Sequence, residues 1–126
     1  MENLQKSLKR LKIEDIIWII YFFIVSFALY SNKLERDYLL RHNNESRKKF
    51  HEINKTIFIV TFIIYLYFAY AAYEDIKDID TSASKDRISL QLISFIGNIL
   101  FLIGGAIFLY VEVKGNTNEE EDIAIE

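Results

Sequence analysis

The chain has 126 residues, no cysteine, no proline and a formal net charge of -3. The missing cysteines exclude disulfides, thiolate metal sites and cysteine nucleophiles, and no stretch is basic enough to make nucleic acid the main partner. The averages, 52% hydrophobic and 26% charged, would suit a soluble domain if the two classes were mixed, but three uncharged runs are separated by segments that hold nearly every ionisable residue.

Residues 1–15, MENLQKSLKRLKIED, sum to +1. Leu4, Leu8 and Leu11 are spaced i, i+4, i+7, with Lys6, Lys9, Arg10 and Lys12 over the remaining surface. This spacing predicts a short basic amphipathic helix suited to the headgroup layer, or else an exposed extension of the first span. Glu14 and Asp15 stand where the spanning helix begins and complement its dipole.

The first uncharged run is Ile16 to Tyr30; with its flanks, 13–32, it has 20 residues, enough for the roughly 30 Å hydrocarbon core. Trp18 and Tyr30 are placed to anchor its two ends at headgroup level. The run exceeds a signal-peptide apolar region, and no small-x-small cleavage site follows it.

The connection 33–55, KLERDYLLRHNNESRKKFHEINK, sums to +3. Leu34, Tyr38 and Leu39 carry the first helix on to about residue 42, His42-Asn43-Asn44 reads as a turn, and a helix restarts from Ser46. Two long helices should therefore project past the bilayer as an antiparallel hairpin. His42, Glu45, His51 and Glu52 do not form a recognised ligand pattern, so no metal is expected.

The second run, 56–73, has 18 residues. Thr61, Tyr65 and Ala69 share one side of it. Tyr70 and Tyr73 are interfacial anchors, while Tyr65 and Tyr67 lie deep enough to need hydrogen-bond partners. The connection 74–87 sums to -2; a break is expected at Thr81 to Ser84, with Asp80 or a nearby serine capping the next helix.

The third run, 88–111, has 24 residues and spans with tilt. Gln91, Ser94 and Asn98 fall at i, i+3, i+7, and Gly105 extends that stripe. Ser94, Gly97 and Gly104 occupy an overlapping face. Small residues let helices approach closely, and an amide in lipid seeks a partner. The stripe is read as a packing face, within the chain or between copies, with a pore lining as the alternative and Asn98 as its best single functional candidate. Tyr110 is a further anchor. The acidic tail, 114–126, should be disordered.

The expected fold is an all-α membrane protein: one domain of three transmembrane helices over 1–113, a basic amphipathic N-terminal arm and a disordered acidic tail. Strands are excluded because three cannot close a barrel in lipid. No charged residue stands within the middle of any run, which argues against a pump or proton-coupled transporter. No phosphate loop, nucleophile elbow or zinc-protease motif occurs, so no enzyme and no cofactor are expected. Lys and Arg number seven in 33–55 against three in 74–87, favouring a cytoplasmic first connection and an N-out, C-in arrangement.

The segment LKIEDIIWIIYFF, 11–23, followed by a charged connection and two further spans, resembles small uncharacterised three-span membrane proteins of low-GC bacteria. The resemblance implies a bacterial cytoplasmic membrane and transfers no functional residue. The expected function is non-enzymatic: an interaction or accessory subunit in the bilayer, associating with itself or with a membrane protein partner. The alternative is a small pore-former, since size and span number resemble phage holins, although the tail here is acidic where theirs are usually basic.

Overall fold

The computed structural model describes residues 4–79 and 84–115. Its helices follow one another as α1, Glu2–Arg41; α2, Asn44–Lys77; and α3, Lys85–Ile125. No strand occurs among the described residues. Each uncharged run lies inside one helix, and the stretches long and apolar enough to cross a bilayer are Leu4–Arg41, Asn44–Lys77 and Lys85–Gly115. The arm is not a separate element, because the helix passes from it into the span without a break. Lys114 and Gly115, where the disordered tail was expected to begin, are still helical; the rest of the tail lies outside the described residues, as does the expected break at 81–83.

The helix ends follow local chemistry. His42 takes a left-handed conformation, φ 54°, and its N–H donates to the Tyr38 carbonyl at 2.7 Å. That bond closes α1 with the cap usually built on glycine, and histidine is among the side chains that tolerate this region. Asn43 then opens α2. Its Oδ1 accepts the Glu45 N–H at 3.0 Å, and its carbonyl accepts the Arg47 N–H at 3.1 Å, which is how an N-cap asparagine satisfies a free helix start. The whole turn is thus two residues long. Ser84 does the same for α3, its Oγ accepting the Arg87 N–H at 3.2 Å. This is the nearby serine of the two expected caps; Asp80 lies outside the described residues.

The chain divides into two units, Met1–Ile57 and Phe58–Glu126, and the dividing point falls within the unbroken α2. In the first unit α1 pairs with the start of α2. In the second the remainder of α2 pairs with α3.

Burial identifies the solvent. Only 6%, 11% and 6% of the most apolar windows of the three helices are buried inside the protein. Phe22, Leu29, Leu100, Phe101 and Ile107 are among many large apolar side chains left more than half exposed. Exposure of such a side chain to water costs about 1.5 kcal/mol or more, so ten of them would cancel the roughly 15 kcal/mol margin of a very stable soluble domain. Lipid removes that cost, and the chain is a multi-pass membrane protein.

The turn chemistry is testable. His42→Gly should stabilise the hairpin by about 0.5–1 kcal/mol by relieving the left-handed side chain, whereas Asn43→Ala should cost about 1 kcal/mol by removing the cap. Reversible unfolding in mixed detergent and SDS micelles measures both.

Candidate association face on the third helix

Within residues 58–126, α2 and α3 run antiparallel with aromatic side chains at successive levels. Phe58 stacks on Phe108 at 6.3 Å between ring centres, Tyr65 meets Phe101 at 5.6 Å, and Tyr73 meets Phe95 at 6.4 Å. The α2 positions 58, 62, 65, 69 and 72 alternate steps of four and three, the spacing of a left-handed helix seam; Ala69 and Ala72 are buried. The close approach is made at Gly105. A Cβ there would stand 2.9 Å from Tyr65 Cδ2 and 3.7 Å from Phe62 Cδ2, so only glycine admits the ring. Tyr65 thus lies against the α3 stripe at Gly105.

The other two glycines of the span behave differently. A Cβ at Gly97 or Gly104 would meet nothing within 4 Å. They are seven residues apart on one face and help to line an open groove of about 440 Å³, together with Tyr65, Leu100, Phe101, Gly105 and Phe108. Glycine inside a helix costs about 1 kcal/mol relative to alanine, and contacts inside this unit give no return for two of the three.

The polar residues of the stripe are handled one by one. Asn98 is half-buried, and its Nδ2 donates to the Ser94 carbonyl at 3.0 Å, one turn back on its own helix. Ser94 itself is exposed. Gln91 Oε1 is buried and accepts no hydrogen bond. The Tyr65 hydroxyl, at the middle of the second span, makes no hydrogen bond among the described residues. An unsatisfied polar atom at that depth is costly, because lipid offers nothing in exchange. The interfacial aromatics Trp18, Tyr30, Tyr70, Tyr73 and Tyr110 are all exposed, available to lipid headgroups.

A second polar region, in residues 1–57, did not stand out in the sequence. Ser31 is 1% exposed and donates to Asn54 Oδ1 at 2.6 Å, with the Phe50 carbonyl at 3.4 Å. Tyr38 packs on Phe50 at 6.1 Å. Ser46, Arg47 and His51 are buried as well. The signal was the spacing: 47, 50/51 and 54 share one face of α2, as 31, 34 and 38 do on α1. Charge content masked it, since a basic connection reads as solvated. The two histidines sit in the helical framework: His42 caps α1, and the His51 ring lies 4.4 Å from that of Phe50. Among the described residues no group of three or more His, Asp or Glu is arranged to hold a metal.

Gly105→Ala should weaken the α2–α3 pairing by about 1–3 kcal/mol, since the Tyr65 ring has to shift. Gly97→Ala and Gly104→Ala should leave the isolated chain as stable or slightly more so. Unfolding in SDS-containing micelles at high dilution separates the two classes.

Comparison of the chain with protein-family models, with curated proteins and with solved structures finds no match.

Proposed function

We propose that the chain is a non-enzymatic membrane subunit that acts by association, and that the groove face of α3 is where association occurs. The observation that carries this reading is the pair Gly97 and Gly104, whose open Cβ positions serve no contact within their own unit. The unbonded Tyr65 hydroxyl and Gln91 Oε1 support it, because a neighbouring helix supplies both close backbone approach and hydrogen-bond partners in lipid. A second copy is the simplest neighbour; a larger membrane protein is the other.

Crosslinking in native membranes and native mass spectrometry in mild detergent test this reading. Oligomers or a co-purifying partner are expected, lost at least tenfold in the Gly97→Leu, Gly104→Leu double variant. A strict monomer with nothing bound would remove the proposal.

The pore-forming alternative has less support, because the Asn98 amide that would line a channel is already bonded to its own helix. Ion flux through liposomes containing the purified protein, abolished by Asn98→Leu, would restore it. The resemblance to three-span proteins of low-GC bacteria supports a bacterial cytoplasmic membrane. Within it N-out, C-in is the more populated arrangement, since seven Lys and Arg precede the second span and three follow it.

A further inference from the structure

The same charges, taken over all segments, lead further. Lys and Arg set the orientation of a membrane chain through the difference between its two sides, counted over short connections and near the span ends. Three spans put the arm and the second connection on one side, and the hairpin and the stretch after the third span on the other. The first side carries Lys6, Lys9, Arg10 and Lys12 with Lys77, Lys85 and Arg87, which is seven. The second carries the seven of the hairpin and Lys114, which is eight. The structure narrows that difference. Arg47 is 2% exposed, its charge held inside the fold, while the other six hairpin cations and Lys114 are exposed. On the first side Arg10 is half-buried and the other six are exposed, so the two sides differ by at most one solvated cation.

These cations are also well placed to count. The connections are short, and the helices extend into them from the spans on either side, so the charges ride on stiff extensions of the spans. Lys33 lies within about 5 Å of the end of the first run along the helix axis, Arg36 within about 9 Å and Arg41 within about 17 Å. On the opposite side Lys12 is four residues from Ile16 and Arg87 directly precedes Ile88. No long domain is present in either connection to override the charge count.

We infer that the chain inserts into the membrane in both orientations, with N-out, C-in in modest excess and the inverted arrangement a substantial minority. The local excess around the second span sets the direction of the bias, and the near-equality of the totals limits its size. This inference does not depend on the association reading: monomers and oligomers alike have an orientation.

The chain has no cysteine, so a single introduced thiol is an unambiguous reporter. Ser7→Cys marks the arm and Asn44→Cys marks the hairpin tip, both exposed. Full-length protein is treated in intact bacterial cells with a membrane-impermeant maleimide, and total thiol is titrated after permeabilisation. Both reporters should label in part, with the two fractions complementary. Lys9→Gln with Lys12→Gln lowers the first side to five and should raise the N-out ratio at least twofold. Lys48→Gln with Lys49→Gln lowers the exposed cations of the second side to five and should reduce the ratio at least twofold. All four positions are exposed, so folding is preserved. Complete labelling at one reporter and complete protection at the other, in the chain with its own charges, would overturn the inference. So would a labelling ratio that neither double variant moves.

Discussion

The structure rests on one constraint: in hydrocarbon every backbone N–H and C=O has to be bonded inside its own segment. Helices meet that requirement without help from neighbours, which is why three of them suffice and why so little side-chain surface is buried between them. In water the same chain would have to hide its phenylalanines and isoleucines, and a fold of this size has no second layer with which to do so. Packing in lipid is therefore selective. It is concentrated where shape or polarity demands it: at Gly105 beneath the Tyr65 ring, along the aromatic levels of α2 and α3, and between Ser31 and Asn54.

Side-chain polarity obeys the same constraint in two ways. Ser26, Thr56 and Asn98 each return their donor to the carbonyl four residues earlier, at 3.0, 2.9 and 3.0 Å. Such residues are self-sufficient and say little about partners. Ser31 and Asn54 are bonded across two helices, close to the point where both leave the apolar run, and so define how the hairpin is seated. An interhelical bond of this kind contributes about 0.6 kcal/mol on average, and up to roughly 1.7. That is modest in energy but specific in register, because sliding either helix by one residue would separate the pair.

The fold was largely legible in the sequence. Uncharged runs of spanning length, separated by charge, require helices in lipid, and His42-Asn43-Asn44 was readable as a turn from side-chain chemistry. The continuity of the arm with the first span was not decided by pattern, because an amphipathic stretch and a straight extension share the same spacing. The stripe on α3 was visible as residue types, but composition could not tell Gly105, which admits a ring, from Gly97 and Gly104, which face open space. That distinction depends on where Tyr65 projects. The polar interior around Ser31, Arg47 and His51 was hidden for a different reason: their neighbours Lys48, Lys49 and Glu52 are exposed, and the average over the segment describes the outer face.

The turn between α1 and α2 bears on how proteases meet this molecule. By sequence the projecting hairpin is dense in lysine and arginine, and a trypsin-like enzyme should cut it readily. Only His42 and Asn43 lie outside helix there, and each side of that pair is closed by its own cap. Cleavage is favoured at exposed tips whose backbone is not hydrogen-bonded. A tip of two residues between two capped helices offers almost no such backbone, so the hairpin resists nicking while its basic side chains, the buried Arg47 apart, remain in view.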